Sequence, residues 1–121
     1  PAWAHWAQTA LEQGHQNGSL AGFGAPRLGL IGTGDQFIDD ATVLSQLRTD
    51  IPDLQAVEME GAAVAQVAEQ EGVPWLVLRV ISDSADGEAA ESFTDFVQRY
   101  DHSSWTLVEA LLNAQGTAPN R

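Results

Sequence analysis

Val57-Glu58-Met59-Glu60-Gly61-Ala62-Ala63 marks the point where an extended pattern gives way to a helical one. In an extended chain, side chains two residues apart share a face. Glu58 and Glu60 therefore project together, while Val57 and Met59 face the other way. Charged groups at a strand end that enters a core are seldom buried without a partner. The pair either reaches solvent just past the sheet or meets a hydroxylated ligand or a buried arginine.

Outward from this stretch the chain alternates. Gln55 to Met59 reads as a strand and Gly61 to Glu71 as a helix, whose Ala62, Ala63, Ala65 and Ala68 allow close packing; Gly72-Val73-Pro74 ends it. Upstream, Arg27 to Gly32 is a short apolar strand followed by the turn Gly32-Thr33-Gly34-Asp35-Gln36-Phe37-Ile38. Asp39 or Asp40 then caps a helix running to about Thr49, with Val43, Leu44 and Leu47 inward, and Ile51-Pro52-Asp53 breaks it. Downstream, Trp75 to Ser82 is a third and most apolar strand, and Asp83 to Glu91 an acidic loop. From Ser92 onward Phe93, Phe96, Val97, Tyr100, Trp105, Val108, Leu111 and Leu112 fall at the spacing of one or two amphipathic helices. At the front, Trp3, Trp6, Ala7, Ala10 and Leu11 predict a helix from Pro1 to about Gln16, followed by a loop from Asn17 to Pro26; Gly116 to Arg121 reads as a loose tail. No internal repeat or low-complexity linker divides the 121 residues, which read as one domain.

Strands alternating with helices predict an α/β fold with right-handed crossovers and a parallel sheet covered on both faces. The near-unbroken apolar third strand agrees with a central position in it. Such sheets bind ligands beyond the carboxyl ends of their strands. All three strands end in polar or special residues: Gly32 to Ile38, Glu58 to Glu60, and Ser82-Asp83. That convergence predicts a site.

Composition narrows the chemistry. Seventeen acidic residues against five arginines give a formal charge of -12, which repels phosphate backbones and anionic lipid and argues against nucleic-acid or membrane-surface roles. No lysine is present, so Schiff-base chemistry, a phosphate-loop lysine and a pyridoxal anchor are excluded within this sequence. No cysteine is present either, which removes a thiol nucleophile and fits a reducing compartment; a cytoplasmic location is the expectation. No apolar run approaches the length needed to span a bilayer. The sequence opens at Pro1 without a methionine, as a piece with its upstream part absent would.

Gly29, Gly32 and Gly34 lack the third glycine and helix opening of a dinucleotide loop. Asp83, Asp86 and Glu88 lack the alternating spacing of a calcium loop. His5, His15 and His102 are too far apart to suggest a metal site, and none is expected. Arg79 differs, because it interrupts Leu76, Val77, Leu78, Val80 and Ile81 and so needs a carboxylate or a polar cavity beside it. Glu60 is the candidate partner, whether as a purely structural ion pair or as part of a site. Asp83 either caps a turn or serves as a general acid if its surroundings raise its pKa.

Val57 to Ala63, then Val73-Pro74, then Leu78-Arg79-Val80-Ile81-Ser82-Asp83-Ser84-Ala85-Asp86 closely resemble the carboxyl-terminal half of the nucleoside phosphorylase/hydrolase superfamily, and within it the 5'-methylthioadenosine/S-adenosylhomocysteine nucleosidases. Gly32 to Ile38 and Ser92-Phe93-Thr94-Asp95-Phe96 fall where that family has equivalents, so the similarity runs from roughly Leu28 to Leu112. The resemblance implies a three-layer fold with a central mixed sheet flanked by helices, assembled as a homodimer. It implies hydrolysis of the N-glycosidic bond to adenine without metal or cofactor, a step of methionine salvage acting on a small purine nucleoside. Carried over residue by residue, Asp83 matches the acid that protonates the adenine leaving group, and Ser82 its neighbour at the purine edge. Glu60 matches the carboxylate on the ribose hydroxyls, Met59 packs under the sugar, and Arg79 matches a residue near the attacking water. Phe37 and Ile38 match the purine pocket and Phe93 the 5'-alkylthio pocket; Glu58 is grouped with the substrate-binding residues.

The family's amino-terminal half, with the glutamate that activates water, has no counterpart in these residues, so the expectation is a partial domain completed by the same or a second chain and inactive alone. Two alternatives remain at this point: a purine nucleoside phosphorylase of the same superfamily, and a non-catalytic half-domain that only binds a nucleoside or pairs with a partner.

Overall fold

The computed structural model describes residues 2–82 and 89–120 and divides into two units, 29–98 and a second made of 1–28 with 99–121.

In the unit of residues 29–98, β1 (Leu30–Thr33) and β2 (Leu54–Glu58) run parallel, joined through α2 (Ala41–Asp50). Parallel neighbours need such a crossover because a tight turn cannot reverse the chain direction twice. The register sets Gly32 against Val57 and Thr33 against Glu58, and the Gly34 N–H extends the ladder to the Glu58 carbonyl at 2.9 Å. The α2 helix starts where expected. Asp40 is the cap, accepting the Thr42 N–H at 2.6 Å, and this backbone bond holds its carboxyl below the usual range. Leu44 and Leu47 are half-buried, whereas Val43, expected inward, is exposed.

The α3 helix (Gly61–Gln70) follows β2 and packs on β1. Its inward stripe is Gly61, Ala65 and Ala68; Ala62 and Ala63 lie on the exposed side. Gly72, at φ 63°, terminates it: the Gly72 N–H donates to the Glu69 carbonyl at 3.3 Å and the Val73 N–H to the Ala68 carbonyl at 2.9 Å. This pair of bonds needs a left-handed residue that glycine adopts without Cβ strain.

The expected third strand is a correction. Trp75–Ser82 has no strand pairing, and among the described residues the sheet has two strands. An apolar run becomes a strand only where ladder partners satisfy its backbone, and β2 carries none on its far edge. Trp75, Leu78 and Ile81 are exposed accordingly, while the Trp75 indole N–H donates to Glu69 Oε1 at 2.7 Å. Leu54 and Gly61 are the buried residues described in this unit.

The other unit holds α1 (Ala2–Gln16) and the residues from Arg99 of α4 (Ala89–Asn113), with the short turn Gln115–Thr117. Ala7, Ala10, Leu11, Leu20 and Leu107 form its core. Trp3 and Trp6 meet edge to face at 5.5 Å, and the Trp6 indole N–H donates to the Ala114 carbonyl at 3.2 Å. Phe23 and Tyr100 meet edge to face at 6.3 Å. Of the one or two helices expected the structure has one, and its start at Ala89 falls within the expected loop. Its inward seam is Tyr100, Ser103, Ser104, Leu107, Ala110 and Leu111; Trp105, Val108 and Leu112 are exposed. Thr106 is half-buried beside this seam. No helix among the described residues is long and apolar enough to cross a membrane.

Candidate active site

The carboxyl end of β2 delivers Glu58 and, after one residue, Glu60 at the first position of the turn into α3. The structure brings three of the expected residues together. One guanidinium nitrogen of Arg79, Nη2, bonds Glu58 Oε2 and, at 2.8 Å, Glu60 Oε2. The shared face expected of Glu58 and Glu60 is therefore real, and Arg79 finds the expected Glu60 as well as Glu58.

The two carboxylates are not equivalent. The Glu58 side chain is 8% exposed and that of Glu60 67%, with Arg79 at 34%. Glu58 accepts the Glu60 N–H at 3.0 Å, the Gly61 N–H on both oxygens at 2.9 and 2.8 Å, and the Thr33 hydroxyl. Burial alone pushes its pKa up; the Thr33 hydroxyl, the Glu60 and Gly61 N–H groups and the Arg79 guanidinium outweigh that and hold it at about 2, down from 4.5. Gly61 is required for this approach, since a Cβ there would stand 2.8 Å from Glu58 Oε1. Glu58 is thus spent on the protein's own groups, whereas Glu60 keeps one arm on Arg79 and most of its surface open.

A pH dependence follows. The folded carboxylate holds its proton more weakly than the unfolded one, so the unfolded chain takes up more protons as pH falls from about 4.5 to about 2. The stabilisation is complete above that window and is lost across it. Screening at this partly open site leaves about 1–2 kcal/mol. In urea melts, the stability gap between the parent and Glu58→Gln is expected to narrow as pH falls from about 4.5 to about 2; a constant gap would assign the bonds no charge dependence.

Phe37, Met59 and Phe93 are exposed and Ile38 and Ser82 half-buried, all in the same unit as the cluster. Phe37, Ile38, Met59 and Phe93 stand outside its hydrogen bonds. Asp83, with Asp86 and Glu88, lies outside the described residues. Among the described residues no three His, Asp or Glu side chains gather to hold a metal ion.

Thr33 was not singled out from the sequence, where it sits inside a turn of glycines. Its hydroxyl donates to Glu58 and accepts the Ala62 N–H at 3.0 Å. The signal that finds it is register: a hydroxyl residue at the end of β1 falls opposite the carboxylate at the end of β2.

The model of the phosphorylase superfamily matches residues 1–113. The 5'-methylthioadenosine/S-adenosylhomocysteine nucleosidase of Anoxybacillus flavithermus is 47% identical over 85 residues, covering 70% of this chain and 37% of the relative. Those of Staphylococcus carnosus and Glaesserella parasuis are 38% and 40% identical, each covering 44% of the relative and 89% and 88% of this chain. The chain thus spans under half the length of the curated relatives it matches. With a matched region that contains β1, β2, α3 and the Glu58–Glu60–Arg79 cluster, the chain belongs to the phosphorylase superfamily.

Proposed function

We propose that the complete protein hydrolyses the N-glycosidic bond of 5'-methylthioadenosine and S-adenosylhomocysteine, releasing adenine and the thioribose product. The observation that carries this reading is the open Glu60 carboxylate held by Arg79 at the end of β2. A carboxylate so placed is suited to accept hydrogen bonds from a ribose diol and to face the positive charge that builds on the sugar. The relatives described above are named nucleosidases of these two substrates, which supports water as the acceptor.

In the proposed reaction the carbon–nitrogen bond to adenine breaks and its electron pair passes to the base, which gains a proton from Asp83. Water bonds to the anomeric carbon and gives up a proton to the water-activating carboxylate supplied by the remaining part of the fold. Glu60 holds the ribose hydroxyls and Arg79 lies near the water; Met59 lines the sugar, Phe37, Ile38 and Ser82 the purine, and Phe93 the 5' substituent. Nothing in this scheme calls for a metal or cofactor.

The remaining part of the fold, on the same or a second chain, supplies the water-activating carboxylate and completes the three layers and central mixed sheet. The exposed Trp75, Leu78 and Ile81 are apolar surface that such a part would cover. This chain alone is then inactive. Homodimeric assembly, a cytoplasmic location and a place in methionine salvage belong to the same reading.

The test is adenine release from methylthioadenosine, in phosphate-free buffer, by a protein of the relatives' full length carrying this sequence. Turnover without phosphate is expected. Turnover only with phosphate would replace this reading by a phosphorylase, and nucleoside binding without turnover would replace it by a non-catalytic binding domain.

A further inference from the structure

The first turn of an α-helix leaves its N–H groups without partners inside the helix. In α3 the residue at the cap position, Glu60, makes no side-chain capping bond. The partners come instead from the ends of the two strands. Gly61 N–H bonds Glu58, and Ala62 N–H bonds Thr33 Oγ1 at 3.0 Å. The Thr33 hydroxyl has one proton, and it goes to Glu58 Oε1. Its bonds therefore tie β1, β2 and the start of α3 together, and Glu58 passes the constraint to Arg79 and, through it, to Glu60.

We propose that Thr33 is a positioning residue of the candidate site: its hydroxyl fixes the Glu58 carboxylate and the first turn of α3, and so sets where Arg79 and Glu60 stand. The inference rests on the hydrolytic reading only for what Glu60 and Arg79 then do; the bonds themselves are independent of it. A β-branched side chain suits the task, because its χ1 is restricted before any bond forms. Valine keeps that shape but can neither donate to the carboxylate nor accept from Ala62, whereas serine can do both.

The test follows the carboxyl carbon of Glu58 and the amide of Ala62 by nuclear magnetic resonance in the chain with Thr33→Val and Thr33→Ser. Thr33→Val is expected to move the Glu58 titration up by about one pH unit, as loss of a hydrogen bond to the charged form requires. It is also expected to speed Ala62 exchange about tenfold, while Thr33→Ser restores both. A Glu58 titration and an Ala62 exchange rate unchanged in Thr33→Val would overturn the proposal. Should that variant not fold, the parent answers alone: protection of Ala62 should be lost at the same pH midpoint as Glu58 titrates, and separate midpoints overturn it. No substrate enters either measurement, so a negative result leaves the hydrolytic reading standing, and a failure of turnover leaves this one.

Discussion

Asp83→Asn in the complete protein is expected to lower the rate of adenine release by ~10²–10⁴-fold, with a far smaller change in KM. Cleavage of the glycosidic bond moves an electron pair onto the purine, and an unprotonated purine anion is a poor leaving group. Asparagine keeps the size and hydrogen-bonding reach of aspartic acid but has no proton of that acidity to give. The loss should therefore fall on the chemical step and remove the acidic group's limb from the pH–rate profile. A ribosyl substrate with a para-nitrophenyl leaving group separates this from a general disturbance, because that group departs without protonation. The variant should recover most of the parent's rate on it. Equal losses on both substrates would take Asp83 out of its assigned role and leave it a structural residue following Ser82.

The parts of this molecule legible in the sequence are those decided by neighbouring residues. Asp40 caps α2 because its carboxylate reaches an N–H two residues on, and Gly72 ends α3 because a left-handed residue is needed there. The pairing of Arg79 with Glu60 was also legible, since a guanidinium among aliphatic residues demands a carboxylate. What sequence did not reveal depends on register between distant segments. Thr33 and Glu58 are 25 residues apart, and only the parallel pairing of β1 with β2 makes them partners. The same pairing puts Glu58, two residues from Glu60, where its carboxylate closes the start of α3. Trp75–Ser82 failed in the opposite sense: its apolarity was read correctly, but apolarity does not supply a ladder. In α4 the half-buried seam includes Ser103, Ser104 and Ala110, while Trp105, read from its apolarity as part of the inward face, is exposed.

Glu58 and Glu60 are two residues apart, share one arginine, and should nonetheless respond oppositely to the same substitution. Glu58→Gln replaces a carboxylate that receives two backbone N–H groups, a hydroxyl and a guanidinium with an amide. One of its two terminal atoms then becomes a donor facing donors. Hydrogen bonds to a charged group are worth about 1.5–3 kcal/mol each, and leaving partly buried donors unpaired adds to that loss. A destabilisation of about 2–3 kcal/mol is expected at neutral pH, read as a lower urea midpoint with unchanged slope. Glu60→Gln removes a charge that is two-thirds exposed and paired with Arg79, which Glu58 continues to hold. Its effect on stability should stay within about 0.5 kcal/mol. On the proposed function the order reverses for ligand binding. A ribose diol bonded to a charged carboxylate loses about 1.5–3 kcal/mol when that carboxylate becomes an amide, which is roughly a 10–150-fold weaker nucleoside Kd in the complete protein. Glu58→Gln, measured where the fold is intact, should weaken binding less than Glu60→Gln does. If instead Glu60→Gln lowers the urea midpoint as far as Glu58→Gln and leaves nucleoside affinity unchanged, the open carboxylate is one more structural ion-pair partner of Arg79 and the ribose must be held elsewhere.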